Sequence, residues 1–162
     1  MSTEAMPFPS WPRHSRVEID AVCRVLEGGQ TNQWTGSEVD LFQREFASSV
    51  GSRFALATTS GTSALELCLR GLGVTQGTKV IVPARSYVAT AMVPRQLGAS
   101  VVLADCCPLS GNVTEETLER VRTKDTRVAI VAHVAGWPCE MVSIMEWGRR
   151  HDIRIVEDCA QA

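Results

Sequence analysis

The residues whose chemistry is most informative are the acidic and polar ones that follow a short apolar segment near residue 157. Residues 153–156 are apolar except for Arg154 and lead directly into Glu157 and Asp158. A carboxylate at the end of a buried strand is costly unless a positive group pairs with it. The protonated nitrogen of a heteroaromatic ring is such a partner, because the pair holds a pyridinium in its electron-withdrawing form. We therefore predict that Asp158 binds a ring nitrogen, and that Gln161, three positions later, hydrogen bonds a ring substituent.

Metal binding is the competing use of these carboxylates. Glu157 and Asp158 could be metal ligands, but neighbouring residues on a strand point to opposite faces of a sheet. The six cysteines include no pair at the two-residue spacing of a zinc knuckle. We predict no metal site, and reduced cysteines that mostly pack as small apolar residues, as Cys68 would within a helical pattern.

A hydroxyl-rich turn forms the second candidate site, where an apolar segment leads into a predicted helix. It consists of Ser60, Gly61, Thr62 and Ser63. The start of a helix offers unpaired N–H groups and a partial positive charge, which suit a phosphate group. Gly61 would let the backbone approach such a ligand closely. The alternative is plain helix capping by Ser60 or Thr62, which needs no ligand.

Two further candidate side chains follow predicted strands. Tyr87 comes after the apolar segment that ends at Val82, where its ring could stack on a flat ligand or cover the edge of the sheet. His133 follows residues 127–132 and could contact the same ligand or be satisfied within its own loop. Ligands of parallel sheets bind beyond the carboxyl ends of the strands, so both residues are candidates.

The elements that must position these residues are short apolar segments that alternate with helical patterns from residue 54 onward. We predict strands over residues 54–57, 79–82, 101–104, 127–132 and 153–156. We predict helices over residues 62–72, 88–97, 114–121 and 141–150. Strands that alternate with helices of this length imply right-handed crossovers and a mainly parallel sheet of the α/β class.

The chain is predicted to have two regions. Residues 1–36 form an N-terminal arm, a helix and a loop, and residues 37–162 form a partial cofactor-binding large domain. Three prolines within residues 1–12 predict an extended arm, which is followed by a helix over residues 17–26. A second helix is predicted to begin at Ser37, as its cap, and to end near Gly51.

Composition excludes several classes of protein. The chain has 162 residues, a formal net charge of -2 and 44% hydrophobic residues, which is ordinary for a globular domain. The sequence contains no basic block, which argues against nucleic acid or an anionic membrane as the main partner. No apolar stretch approaches the roughly 20 residues that span a bilayer. The first residues lack the basic start and apolar core of a signal peptide, so we expect a cytoplasmic protein.

Taken in order, these motifs resemble the first part of a pyridoxal-phosphate aminotransferase of the DegT/DnrJ/StrS family, which aminates nucleotide-linked keto sugars. The resemblance covers nearly the whole chain and implies the large domain of a fold-type I aminotransferase. The matching segments are Trp34-Thr35-Gly36, Ser60 to Leu67, Val80 to Pro83, Ser86 to Thr90, His133 to Gly136 and Glu157 to Ala162.

The resemblance implies that pyridoxal 5′-phosphate is the cofactor. Its phosphate would be held by Gly61, Thr62 and Ser63. Tyr87 would stack on the pyridine ring, Asp158 would pair with the ring nitrogen, and Gln161 would bond the phenolic oxygen. These roles agree with those predicted from the residue types alone.

The resemblance also implies partners for the full-length protein. They are a nucleotide-sugar substrate, an amino acid as amino donor, and a second copy of the chain in a homodimer with shared sites. The loop that carries Trp34 would then lie near a site, as would His133. Which sugar is used does not follow from these residues.

The family's catalytic lysine, which forms the Schiff base, comes after the Asp-x-x-Gln segment and would lie beyond Ala162. Neither lysine of this chain can replace it, because Lys79 begins a strand at the wrong end of the sheet and Lys124 lies in a loop. We therefore expect no catalytic residue within the chain and no turnover by these residues alone. Some relatives carry histidine there and dehydrate sugars, so a cofactor-dependent dehydratase is an alternative. A non-catalytic α/β module that binds a phosphorylated ligand or a partner chain is another.

The resemblance leads to a prediction about stability. The first predicted strand, residues 54–57, would pair with strands that come later in the family's sequence, as would the last. The 162-residue chain should therefore be marginally stable, prone to aggregation or dependent on another polypeptide, because a strand edge is left open. Thermal unfolding and light scattering check this expectation. A sharp, reversible melt of a monodisperse monomer would contradict it.

Overall fold

A computed structural model describes residues 12–162, so most of the predicted arm lies outside the described residues. The chain divides into two compact units, Met1–Ala57 and Thr58–Ala162. The predicted division after residue 36 remains a prediction.

The described part of the first unit, residues 12–57, contains two helices, α1 (Arg16–Glu27) and α2 (Glu38–Ser49). A capping box starts α1, because the Ser15 hydroxyl accepts from the Glu18 N–H while the Glu18 carboxylate accepts from the Ser15 N–H. The second helix begins where it was predicted, but the side chain of Ser37 makes no capping hydrogen bond. The prediction that the Ser37 side chain caps this helix was therefore wrong.

The strand predicted over residues 54–57 does not form. A strand is held by hydrogen bonds to a neighbouring strand, and residues 54–57 have no strand partner within the described part of the chain. Their large apolar side chains are exposed, Phe54 to 73% and Leu56 to 67%. The apolar composition of this segment therefore does not produce a buried strand.

The second unit is a parallel sheet with helices on both faces, as the alternating pattern predicted. Its strands are β1 (Lys79–Pro83), β2 (Ser100–Ala104), β3 (Thr126–Ala132) and β4 (Arg154–Asp158). Its helices are α3 (Gly61–Gly71), α4 (Ala89–Gln96), α5 (Glu115–Val121) and α6 (Met141–His151). The strand order is β2-β1-β3-β4, and each neighbouring pair is parallel.

Two apolar layers cover the two faces of this sheet. On one face Leu69 of α3 and Val93 of α4 pack against β1 and β3. On the other face Leu118 of α5 and Trp147 of α6 pack against the opposite side chains of the same strands. Because both faces of β1 and β3 are buried, these central strands are mostly apolar on both sides rather than alternating. No helix within residues 12–162 is long and apolar enough to cross a membrane.

A reversal of strand order creates the place for a ligand. The chain passes from β1 to β2 on one side of β1 and then returns to β3 on its other side. The loops that follow β1 and β3 therefore leave the sheet in different directions. A crevice opens between such loops at the carboxyl ends of the strands, which is where ligands of doubly wound sheets bind.

The cysteines do not pack as predicted. All six are free thiols, but Cys139 alone is buried. Cys68 lies on the exposed side of α3, although its helix has the apolar pattern that suggested burial. The apolar stripe of α3 is supplied by Leu65 and Leu69 instead.

Close packing of α6 on the sheet generates a test of this fold. A Cβ at Gly148 would lie 2.9 Å from the carbonyl oxygen of Ile153 and 3.0 Å from the Ile155 side chain. We predict that Gly148→Ala lowers the free energy of unfolding by about 1–3 kcal/mol, since overpacking outweighs the better helix propensity of alanine. Urea denaturation followed by far-UV circular dichroism measures the change.

Gly71→Ala is the matched control, because a Cβ at this exposed helical position meets no atom within 4 Å. It should be neutral or slightly stabilising. If the two variants have equal stability, α6 does not pack on β4 as closely as the structure indicates.

Candidate functional site

A cavity of about 370 Å³ lies at the carboxyl ends of the strands in the second unit. It lies between the start of α3 and the loops that follow β1, β3 and β4. The residues that line it are Ser60, Gly61, Thr62, Leu65, Ser86, Tyr87, Ala89, Ala132, His133, Val134, Asp158, Ala160 and Gln161. Six of the residues predicted to form a site are therefore brought together, although they are up to 100 positions apart in the sequence.

The start of α3 forms one wall of the cavity. The hydroxyl of Ser60 accepts a hydrogen bond from the Ser63 N–H at 3.2 Å, so helix capping, the ligand-free alternative, does occur. The N–H groups of Gly61 and Thr62 have no acceptor among the described residues. Capping and anion binding are therefore compatible, because Ser60 satisfies only one of the unpaired donors.

Gly61 keeps this wall open. A Cβ at position 61 would have no heavy atom within 4 Å, so the space beside the helix start is free. Ser63 does not line the cavity, and its hydroxyl lies 3.1 Å from that of Ser60 and 3.3 Å from that of Thr59. Its predicted contact with a phosphate remains a prediction.

Tyr87 borders the cavity from the loop after β1. Its side chain is 68% exposed, so the ring is more open than a tyrosine that covers a sheet edge. An accessible aromatic face at a cavity can stack on a flat ligand. Stacking by Tyr87 remains a prediction.

Asp158 ends β4, and donors already hold both of its carboxylate oxygens. The hydroxyl of Thr90 donates to Oδ2 at 3.1 Å, and the N–H of Ala160 donates to Oδ1 at 3.2 Å. Because Thr90 donates its only proton there, the Ser86 hydroxyl must donate to Thr90 across 2.8 Å. No lysine, arginine or histidine forms a salt bridge with Asp158 within the described part of the chain.

Thr90 was not predicted from the sequence. It lies in α4, is 1% exposed and comes 68 positions before Asp158. A threonine in the middle of a helical pattern gives no sign of a functional role. Only a polar residue on the buried face of α4 could have indicated that it has a partner.

Gln161 also has a fixed contact. Its side-chain Oε1 accepts a hydrogen bond of 2.7 Å from the N–H of Ala135, in the loop after β3. This contact uses the carbonyl of the carboxamide and leaves the NH₂ group available as a donor.

His133 borders the cavity, but both nitrogens of its imidazole already have hydrogen-bond partners. Nδ1 accepts from the Cys139 N–H at 3.0 Å, and Nε2 lies 3.2 Å from the Glu157 carboxylate. Since Nδ1 accepts, the proton of the neutral ring lies on Nε2 and is donated to Glu157. Both ring nitrogens are therefore hydrogen bonded to protein groups, one in the loop after β3 and one in β4. The predicted contact of His133 with a ligand remains a prediction.

Glu157 takes part in a small group of potential metal ligands. Ligand atoms of His133, Glu157 and Cys159 all lie within 4.8 Å of one another. The geometry opposes metal binding, because the Cys139 N–H occupies Nδ1 and so keeps a proton on Nε2, the atom that would face the metal. Burial, together with the charges of Glu157 and Asp158, raises the pKa of the Cys159 thiol, which disfavours the thiolate that binds metals.

The remaining candidates are Trp34 and the two lysines. Trp34 belongs to the first unit, where its side chain is 97% exposed, and its role remains a prediction. Lys79 begins β1 and lies 3.2 Å from the Thr123 hydroxyl, at the amino end of the sheet. Lys124 lies in the turn before β3. Both lysines are thus at the edge of the sheet opposite the cavity.

The fold and the cavity define a doubly wound α/β domain in which a helix start with unpaired N–H groups and a partly buried carboxylate border one cavity. The profile of the DegT/DnrJ/EryC1/StrS aminotransferase family matches residues 12–162. This chain belongs to that family.

Curated relatives agree with this assignment. 3-Amino-5-hydroxybenzoate synthase of Amycolatopsis mediterranei is 36% identical over 98% of this chain and 41% of its own length. dTDP-3-amino-3,6-dideoxy-alpha-D-galactopyranose transaminase of Aneurinibacillus thermoaerophilus is 34% identical over 93% of this chain and 41% of its own length.

Solved structures have the same fold. An aminotransferase from Psychrobacter cryohalolentis is 40% identical with a TM-score of 0.92, over 96% of this chain and 40% of that protein. The PLP form of the Streptococcus pneumoniae protein Spr1654 is 29% identical with a TM-score of 0.81, over 96% of this chain and 43% of that protein. The chain therefore spans about two fifths of the length of its relatives.

The contact between Thr90 and Asp158 generates a testable prediction. Thr90→Val keeps the shape of the side chain but removes the hydroxyl that bonds Oδ2 of Asp158 and the Ser86 hydroxyl, while Oδ1 keeps its bond from the Ala160 N–H. We expect the free energy of unfolding to fall by about 1 kcal/mol, as measured by urea denaturation. Thr90→Ser, which keeps the hydroxyl, is the control. A valine variant that is no less stable than the serine variant would show that the hydrogen bond contributes nothing.

Proposed function

We propose that this chain forms the pyridoxal 5′-phosphate-binding part of an aminotransferase that acts on nucleotide-linked keto sugars. The observation that carries the proposal is the convergence of four groups on one cavity. These are the α3 start at Gly61, the ring of Tyr87, the carboxylate of Asp158 and the carboxamide of Gln161. Each group matches a different part of one ligand that has a phosphate, a flat ring, a basic ring nitrogen and an oxygen substituent.

The start of α3 fits a phosphate group. The unpaired N–H groups of Gly61 and Thr62 and the partial positive charge of the helix favour an anion there. The space that a side chain at position 61 would fill is free to receive its oxygen atoms. The hydroxyls of Thr62 and Ser63 would add further donors.

Asp158 fits a protonated ring nitrogen. Its carboxylate is partly buried and held by the Thr90 hydroxyl and the Ala160 N–H, and each oxygen keeps a further lone pair for a ligand donor. The carboxylate would stabilise the ring proton. When bound, pyridoxal 5′-phosphate supplies an electron-withdrawing ring that stabilises negative charge at the reacting carbon.

The substrate class is proposed by similarity. One relative is a transaminase of a dTDP-linked amino sugar, which supports a nucleotide-linked keto sugar as substrate and an amino acid as amino donor. We expect the whole protein to be a cytoplasmic homodimer. Lys79 and Lys124 lie at the amino edge of the sheet, away from the cavity. We therefore expect the 162-residue chain to bind the cofactor without turnover.

Titration with pyridoxal 5′-phosphate tests the proposal. Absorbance and induced circular dichroism should show saturable binding to the full chain. We expect Gly61→Ala to weaken binding at least tenfold, because the new methyl group occupies the space beside the phosphate, while thermal stability is unchanged. Asp158→Asn should weaken binding and change the spectrum, because an amide cannot neutralise a pyridinium.

Gly71→Ala, at the other end of the same helix, is the control and should bind like the original chain. Pyridoxal without the phosphate should bind more weakly than the cofactor. A non-catalytic interaction module would give no saturable signal with the original chain. Unchanged affinity in both site variants would contradict the assignment of this cavity.

A further inference from the structure

A buried asparagine outside the cavity joins the two ends of the loop that follows β3. Asn112 is 2% exposed and lies between β2 and α5. Its Oδ1 accepts from the Val134 N–H at 3.2 Å, and its Nδ2 donates to the Trp137 carbonyl at 2.7 Å. A peptide N–H only donates and a carbonyl only accepts, so these two contacts determine the orientation of the amide.

The loop between these contacts has an unfavourable backbone conformation. Ala135 has a φ of 56° and Gly136 a φ of 76°. Residues other than glycine rarely adopt this left-handed region, so Ala135 keeps it only because the surroundings impose it. The hydrogen bonds of Asn112 lie on both sides of Ala135 and constrain the loop from both ends.

The conformation of Ala135 determines where its N–H points. That N–H donates to Oε1 of Gln161 at 2.7 Å. Because a donor faces Oε1, the carboxamide cannot flip without losing the contact, and its NH₂ group remains as the donor for a ligand. A further close contact supports the arrangement, since a Cβ at Gly136 would lie 3.1 Å from the backbone oxygen of Gln161.

We propose that Asn112 is a positioning residue for the ligand-binding site: through the loop 134–137 it fixes the Gln161 carboxamide so that only N–H donors face the ligand. The proposal rests on the proposed function and deepens it. The ligand atom next to Gln161 must then be a hydrogen-bond acceptor, such as a phenolic oxygen in its ionised form. A ligand with a donor at this position would be rejected, because two donors would face each other.

Amide hydrogen exchange of the ligand-free chain, followed by NMR, tests the positioning directly. We expect Asn112→Ala to speed exchange of the Ala135 N–H about fivefold, and we expect the same of Gln161→Leu. Each change weakens or removes the hydrogen bond from the Ala135 N–H to Gln161. Combining the two substitutions should add little to either one. Ser110→Ala is the matched control. It removes the hydroxyl that bonds the backbone N–H of Asn112 at 3.2 Å but leaves the side-chain amide intact.

Cofactor binding provides the second readout. We expect Asn112→Ala to weaken the binding of pyridoxal 5′-phosphate about tenfold in the original chain and to have no further effect in the Gln161→Leu variant. Ser110→Ala should bind like the original chain. If the original chain binds no cofactor, the proposed function fails, while the exchange measurement still decides the role of Asn112.

Three outcomes would overturn the inference. Exchange of the Ala135 N–H could be unchanged in Asn112→Ala, the two substitutions could act additively, or Ser110→Ala could have the same effect as Asn112→Ala. If Asn112→Ala does not fold, the Gln161→Leu variant decides, because position 161 is exposed. In that variant the Val134 N–H, which bonds Asn112, should also exchange faster, and unchanged exchange would overturn the proposal.

Discussion

The parallel pairing of β3 with β4 is the constraint on which the rest of the site depends. The register places Ala132 opposite Asp158 and Val131 opposite Glu157. Side chains alternate between the faces of a strand, so this register directs Asp158 to one face and Glu157 to the other. Asp158 thereby reaches Thr90 in α4, whereas Glu157 reaches His133. A shift of one residue would exchange the two carboxylates and abolish both sets of contacts.

The cavity follows from the topology rather than from any single residue. The strand order β2-β1-β3-β4 separates the loop after β1 from the loop after β3, and the start of α3 borders the space between them. Main-chain N–H groups and polar side chains are therefore exposed at the carboxyl edge while both faces of the sheet stay apolar. This arrangement lets a polar ligand bind without disturbing the core.

Buried polar residues at and behind the cavity are hydrogen bonded. Thr90, Asn112 and His133 are buried and each has hydrogen-bond partners. No buried side-chain nitrogen or oxygen lacks a partner within residues 12–162. Satisfied buried networks are rigid, because breaking one contact leaves a polar group unpaired in a low-dielectric interior. The groups that line the cavity are thus connected to buried polar residues whose own hydrogen bonds are satisfied.

The sequence by itself determined the local structure of this protein and most of the polar residues that line its cavity. Apolar periodicity, caps and glycines act over a few neighbouring positions, so the helices from α3 to α6 and the strands from β1 to β4 were predictable, as were Gly61 and Asp158. The strand predicted over residues 54–57 from local composition does not form, because a strand needs a partner and, as the family resemblance implied, none pairs with this segment within residues 12–162. The contacts of Thr90 with Asp158 and of Asn112 with Val134 were decided only by the tertiary structure. They join segments 68 and 22 positions apart, and hydrogen bonds between distant segments leave no periodic signal in the sequence.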